Sequence, residues 1–348
     1  MSRTNSQLAE LLARAAEQQE AGTNKAKALR RAAHQALAWP VSVASMVEAG
    51  QPLTDLPGVG PYVAGILLAG LESAAEIPDS PPERRGFSSL AEARELLREP
   101  GVAAPPVDAD FQMHSTDSDG AMPLAEVIGL CRQRGLRCIA ITDHSKGLRI
   151  ANGMDETRLR AQGEEIARIN AELRESGSEM VVLRSVEMNL SPEGEGDMEW
   201  DALCELDLVL GAFHSKLRLR DDQTDRYLAA IRNPVVDVLA HPRARMFDTR
   251  VGLQADWRRV FGEAARLDKA VEIDCHGNRQ DLDVELLGLV REEGARVSIG
   301  SDAHVAVEHE NLDLGIASAV RAGIPTERII NCMSPDEVRA WARAHRQG

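Results

Sequence analysis

The spacing of apolar residues divides the chain into two regimes. Up to residue 108 the rhythm is helical. Leu8, Leu11, Leu12 and Ala15 predict an amphipathic helix over 6–22, broken by Gly22-Thr23-Asn24. A second helix is expected from Asn24 to Pro40, a short third segment over 41–49, and an apolar helix after Pro61 through Leu71. Residues 78–108 carry PDSPP, ERRGF, a short helix at 89–98 and VAAPPVD, which predicts a proline-rich linker with one embedded helix. From residue 109 short apolar runs alternate with amphipathic stretches. Strands are expected at 109–113, 137–142, 180–186, 207–213, 235–240, 270–274 and 296–300. Helices are expected at 122–134, 155–175, 222–232, 254–267, 281–293 and 311–322. Repeated βα units imply a parallel α/β sheet, here long enough to close into a barrel. The expected organisation is a small all-α domain over 1–77, the linker over 78–108 and the barrel over 109–348.

The length of 348 residues leaves room for both domains. No apolar run is long enough to span a bilayer. The N-terminal stretch carries an early Glu10 and no apolar core of the kind a signal peptide has. Five scattered cysteines, none in a C-x-x-C pair, fit a reduced cytoplasmic protein. A net charge of -15 argues against nucleic acid as a partner. That argument weakens if several of the acids hold cations, which would cancel them locally. Residues 1–77, with six Lys and Arg against seven Asp and Glu, are close to neutral.

The seven expected strands change the picture further, because each is followed by metal-competent side chains. They are His114 and Asp119, Asp143 and His144, Glu187, His214, His241, Cys275 and His276, and Asp302 and His304. In a parallel barrel these positions gather at the C-terminal rim, where such folds place active sites. Six of the nine histidines fall there; His34, His309 and His345 are read as surface residues. Imidazole and carboxylate donors with little sulfur suit Zn, Mn or Fe(II), and so many donors call for two or three divalent ions. Ions that close together clamp a phosphoryl group and activate water. Lys146, Arg149, Lys216, Arg218, Arg220, Arg243, Arg245 and Arg279 follow the rim residues in the same loops. As a group they favour an anionic substrate, and Lys146, Arg149, Lys216, Arg243, Arg245 and Arg279 are the candidates for phosphate contact.

The segments Asp110-Phe-Gln-Met-His114-Ser-Thr-Asp-Ser-Asp119-Gly, Ile141-Thr-Asp-His144-Ser, Phe213-His214-Ser, Leu239-Ala-His241-Pro, Glu272-Ile-Asp and Ser301-Asp-Ala-His304 resemble the PHP (polymerase and histidinol phosphatase) family. The resemblance covers essentially all of 109–348 and is closest to the C-terminal PHP domain of bacterial family X DNA polymerases. It implies a distorted seven-stranded, TIM-like β/α barrel with a trinuclear metal centre. It further implies that Gln112, His114, Glu187 and Asp302 surround one ion, and that Glu187, His214 and His241 surround a second, with Glu187 bridging. Asp119, His144 and His304 would surround a third, with Asp302 nearby. Glu187, His241 and Asp302 are the residues on which catalysis would rest. Gln112 stands where many members have His, a weaker and neutral ligand. Cys275 and His276 have no counterpart and are read as core or supporting residues.

The N-terminal region is similar to the helix-hairpin-helix lyase domain of the same polymerases, with Leu56-Pro-Gly-Val-Gly-Pro61 as the hairpin. The resemblance makes it a non-sequence-specific DNA-binding module. Gly58 and Gly60 would let backbone N–H groups approach a phosphate, and Lys25, Lys27, Arg30 and Arg31 would touch the DNA backbone. Ile66 stands at the position of the lysine that forms the Schiff base, so lyase activity is not expected. About thirty residues of linker cannot hold the polymerase palm that separates the two domains in those enzymes. The leading expectation is therefore a metal-dependent DNA phosphodiesterase, a 3′→5′ exonuclease or end-processing nuclease. The alternatives are a phosphomonoesterase on a small metabolite such as histidinol phosphate, and a non-catalytic DNA-binding protein with a structural metal site.

Overall fold

The computed structural model describes residues 3–346, so Met1, Ser2, Gln347 and Gly348, the outer ends of the two expected domains, lie outside it. The chain forms two compact units. The first runs through Ala103 and also takes in Arg245–Val251 and Gly277–Gln280; the second is the remainder.

The first unit is helical: α1 (Asn5–Glu17), α2 (Asn24–Ala36), α3 (Val43–Glu48), α4 (Pro61–Glu72) and α5 (Leu90–Arg98). Thr4 and Gln7 form a capping box that starts α1. The helix stops at Glu17, short of the expected 22, because Gln18, Gln19 and Glu20 have no apolar side chain to bury. Leu8, Leu12, Leu29, Leu37, Val63 and Leu67 form the core with Trp39. The expected linker is not free chain. Leu90 and Ala93 of α5 are buried, the Leu90 N–H donates to the Leu37 carbonyl at 2.8 Å, and Ser6 donates to Glu92 at 2.9 Å. The Arg84 guanidinium, almost wholly buried, donates to Glu10 (2.9 Å), Glu17 (2.6 Å) and Asp248 (2.6 Å). Proline content marked this stretch as a linker, but its amphipathic helix and one arginine tie it into the unit.

The second unit holds seven parallel strands in sequential order. They are β1 (Ala109–Asp110), β2 (Cys138–Ile141), β3 (Val181–Asn189), β4 (Leu208–Ala212), β5 (Val238–Leu239), β6 (Ala270–Asp274) and β7 (Arg296–Gly300). The intervening helices are α6 (Leu124–Gln133), α7 (Glu156–Glu175), α8 (Trp200–Cys204), α9 (Thr224–Arg232), α10 (Trp257–Arg266), α11 (Val284–Glu293) and α12 (Leu312–Ala322). The circle closes between first and last strands through the Phe111 N–H to the Ile299 carbonyl (3.3 Å) and a parallel bridge from Met113 to Ala303. Where β1 and β7 diverge, the Asn331 amide fills the gap: it donates to the Ala109 and Ile299 carbonyls and accepts from the Ile299 N–H.

β3 is the longest strand because it changes neighbours. Its first half pairs with β2 (Cys138 to Val181) and its second half with β4 (Ser185 to Leu208). The stagger carries Glu187 past the end of β2.

The sequence reading missed two helices, α8 and α13 (Pro335–His345). The latter had a legible start, a Ser334–Glu337 capping box with Pro335 at the first turn. Its Val338, Trp341 and Ala342 join the barrel's interior cluster with Leu183, Leu208 and Val238. Three histidines read as surface residues are not. His34 packs edge-on against Phe247, His309 is buried beside Cys131, and His345 pairs with Asp237 at 2.8 Å.

Candidate metal centre

The side chains that follow the strands converge on Glu187. It is fully buried, and four imidazoles reach its carboxylate: His241 Nε2 at 2.7 Å, His214 Nε2 at 3.0 Å, His144 Nδ1 at 3.2 Å and His114 Nε2 at 3.4 Å. Burial alone would raise this carboxyl, yet His144, His214 and His241 hold it well below the usual carboxylate range. Beside it Asp302 Oδ1 lies 3.2 Å from His114 Nε2. On the other side Asp119 Oδ1 meets His304 Nε2 at 3.4 Å and His144 Nε2 at 3.5 Å.

Three donor clusters result: His114, Glu187 and Asp302; His144, Glu187 and His214; and His114, Asp119, His144 and His304. The first and third carry the expected cores. The second is built differently, since His144 stands between two clusters and His241 touches Glu187 from outside the cluster. Cys275 and His276 belong to none of the three. The Cys275 thiol, pushed well up by burial and by Asp110, donates to the Ile273 carbonyl, and His276 faces Glu308 at 3.6 Å.

Local backbone explains the convergence. His241 and Asp302 follow their strands with φ of 26° and 52°, a region that non-glycine residues seldom adopt and that collects at functional sites. Hydrogen bonds hold both turns: the His241 N–H donates to Glu272 at 2.8 Å and the Asp302 N–H to the Gln112 carbonyl at 2.9 Å. Asp119 is returned to the rim by a tight loop. At Gly120 any Cβ would sit 2.4 Å from the His114 carbonyl oxygen, so only glycine fits. Asp143 fastens that loop, accepting from the Ser115 N–H (2.8 Å), the Ser115 and Ser118 hydroxyls and Gln162 (2.7 Å).

The ring orientations suit metal ligation. His214 Nδ1 donates to Asn189 Oδ1 at 3.1 Å, and His304 Nδ1 to the Asp302 carbonyl at 2.8 Å, which leaves each Nε2 a lone pair facing the acids. His114 Nδ1 and His144 Nδ1 are buried without a hydrogen-bond partner, a costly state that a cation relieves. Burial pushes His144 down to about 4, the neutral form a metal needs. His304 goes the other way. Burial opposes its charge, but Asp119 and Asp302 raise it to about 9, so binding a cation there competes with a proton. Gln112 is fully buried between Glu272 and Asp302. With its amide nitrogen donating to Glu272, its oxygen turns toward Asp302, the side on which a cation would sit. The nitrogen and oxygen donors fit several divalent ions of the Zn, Mn or Fe(II) kind.

The candidate phosphate residues fare unequally. Arg149 and Lys216 are exposed on the loops after β2 and β4. Lys146 is exposed but tied to Glu156 at 2.6 Å, and Arg243 pairs with Asp283 at 2.5 Å. Arg245 and Arg279 are grouped with the first unit, where Arg245 lies over the Phe87 ring at 3.8 Å and donates to the Arg85 carbonyl. In that unit Gly58 has a φ of 75° and a Cβ there would strike the Gln35 amide, while Lys25, Lys27, Arg30 and Arg31 are all exposed. Ile66 packs against the core. The sequence reading missed Asn189 and assigned no role to Glu272; Asp143, counted among the metal-competent side chains, belongs to none of the three clusters because its carboxylate is spent on Ser115, Ser118 and Gln162. Asn189 follows Glu187 by two and so shares its face of the strand, a signal the period of two offers.

No family model matches the chain. It is 32% identical over 269 residues to DNA polymerase/3'-5' exonuclease PolX of Bacillus subtilis (strain 168), which covers 77% of this chain and 45% of that protein. A probable phosphatase of Edwardsiella ictaluri (strain 93-146) is 27% identical over 234 residues, 66% of this chain and 91% of the relative. These relatives bear out the resemblance to the PHP family. It spans somewhat under half the length of the first of these relatives, at 45%. Among solved structures, histidinol phosphate phosphatase from Lactococcus lactis, complexed with zinc, L-histidinol and phosphate, aligns at 17% identity with a TM-score of 0.43, covering 58% of this chain and 90% of that one. That likeness is too distant to bear on the site described above. Among the described residues, no helix is long and apolar enough to cross a membrane.

Proposed function

We propose that this protein, a metal-dependent phosphoester hydrolase, cleaves the phosphodiester backbone of DNA and trims strands from an end. One observation carries the reading. A single chain joins the His, Asp and Glu clusters at the barrel rim to a helical unit whose hairpin glycine and exposed Lys25, Lys27, Arg30 and Arg31 suit backbone phosphate. The relative named as a DNA polymerase and 3'-5' exonuclease matches 77% of this chain.

Divalent ions in the site would supply Lewis acidity toward a phosphoryl oxygen and a nucleophile at neutral pH. Glu187 and Asp302 provide the fixed negative charge for that site, and His114, His144, His214, His241 and His304 the imidazole donors. Gln112 offers an uncharged oxygen to the Asp302 side. Asn189 and the Asp302 carbonyl hold the rings of His214 and His304 in the ligating tautomer. Arg149 and Lys216, with Lys146 behind them, are proposed to neutralise the substrate's non-bridging oxygens. The expected products are a shortened strand and nucleotides.

The test is incubation of the protein with Mn or Zn and end-labelled single-stranded, duplex and nicked DNA. Laddering from one end that His241→Ala abolishes supports the reading. DNA left intact under every metal sinks it.

A second reading, hydrolysis of a small phosphomonoester, is favoured by the probable phosphatase that the chain matches over 91% of its length and by the net charge of -15. Deleting the first 77 residues would cut through a packed core, so reversing charge is the better probe. Release of phosphate from histidinol phosphate, undiminished when Lys27, Arg30 and Arg31 are all changed to Glu, would favour this reading.

A further inference from the structure

Away from the metal centre, α7, the first half of β3, Asp207 just before β4, and α13 enclose a groove of about 480 Å³. Four arginines line it, Arg174, Arg184, Arg339 and Arg343, against two aspartates. Asp207 is already engaged, accepting from the Arg184 N–H at 3.0 Å and from Arg339 Nε at 3.2 Å, with Arg184 Nη2 at 3.7 Å. Asp336 accepts from Arg339 Nη1 at 3.1 Å and is 94% exposed. Arg174 and Arg343, at the last turns of α7 and α13, make no side-chain hydrogen bond or ion pair among the described residues. Several other exposed arginines of the barrel are neutralised: Arg232 and Arg266 share Glu263, and Arg258 holds Glu292 and Glu293. The groove is thus a pocket of uncompensated positive charge on a chain of net charge -15.

We propose that this groove is a second anion site, for a phosphoryl dianion. Two unneutralised guanidinium groups match two negative charges, and each planar fork can donate twice to phosphate oxygens. Arg184 and Arg339, held by Asp207, form a fixed floor, so ordering the ligand demands little of them. Free inorganic phosphate and the terminal phosphate of a nucleoside monophosphate share this chemistry. The inference does not depend on which ester the metal centre cleaves.

Calorimetric titration of the metal-loaded protein at low ionic strength tests it, with inorganic phosphate in one arm and thymidine monophosphate in the other. Two binding events are expected, one at each site. Changing both Arg174 and Arg343 to Ala should weaken one event at least tenfold. Metal content and the hydrolysis rate at saturating substrate should not change. Asp336→Asn, which removes one competing acid, should tighten the same event severalfold. Tighter binding in the nucleotide arm assigns the site to nucleotides, and equal binding assigns it to the phosphoryl group alone. Isotherms unaltered by the double substitution in both arms overturn the proposal, as does a site that Asp336→Asn weakens.

Discussion

The two ends of the same barrel use buried polar groups in opposite ways. At the C-terminal ends of the strands, four imidazoles crowd one carboxylate, two imidazole nitrogens lack partners, and two residues hold left-handed backbone. At the N-terminal ends the buried acid Asp237 and the strand seam find their partners within the chain. Asp237 accepts from Arg346 (2.5 Å), His345 (2.8 Å) and the Val209 N–H (2.9 Å), and Asn331 seals the seam between β1 and β7. At one end the buried acid is arranged around something not supplied by the chain, and at the other the buried acid is matched by the chain itself. That division is what a barrel permits: strand starts can be given to stability while strand ends carry chemistry.

The largest effect should come from neutralising the centre. Glu187→Gln keeps the shape but removes the charge shared by two of the three clusters. Metal content by mass spectrometry should fall below one ion per chain. Hydrolysis should drop by more than the roughly 100-fold that loss of a supporting partner costs. A variant that retained its metal and its rate would mean Glu187 is a structural acid. At the other end, Asp237→Asn should leave the rate per folded molecule unchanged. It should cost about 3 kcal/mol in chemical denaturation, because it leaves Arg346 buried and unmatched. If it impaired catalysis instead, the contrast between the ends would collapse.

The sequence made much of this arrangement legible, for identifiable reasons. All seven strands emerge near their expected positions because buried parallel strands read as apolar runs bounded by turns. The rim was legible because strand ends in such a sheet share one edge, so residues far apart in sequence could be grouped without knowing their distances. What stayed hidden was pairing. Nothing local tells that His345 would find Asp237, that Asn331 would close the seam, or that Arg84 would fold residues 78–103 into the first unit. Nor does spacing reveal that His144 stands between two donor clusters while His241 reaches Glu187 from the side. Strand order follows from pattern; side-chain partners follow from three-dimensional closure.

A smaller effect tests whether ring orientation matters. Asn189→Ala removes the acceptor that fixes the His214 tautomer. Metal affinity or rate should fall about 10- to 100-fold, with the melting temperature of the metal-free protein little changed. Asn189→Asp, which keeps an acceptor, should restore most of the loss. If both variants behaved like the parent, His214 would be positioned by packing alone.

The smallest effect concerns a histidine that crosses the comparison. His309 follows β7 and its rim loop, five residues beyond His304, yet it is 2% exposed and faces Cys131 at 3.8 Å rather than the metal donors. Burial, with Arg134 nearby, pushes it down to about 4 from its ordinary 6.5. The folded chain therefore keeps this ring neutral where the unfolded chain would protonate it. The stability it contributes is fully present above pH 6.5 and is lost as pH falls through that value toward 4, at about 1.4 kcal/mol per pH unit within the window. In denaturant titrations of the metal-free protein at pH 7, 6 and 5, His309→Leu should lose stability less steeply than the parent between pH 6 and 5. Parallel profiles for the two proteins would mean that His309 takes up its proton in the folded state as readily as in the unfolded one.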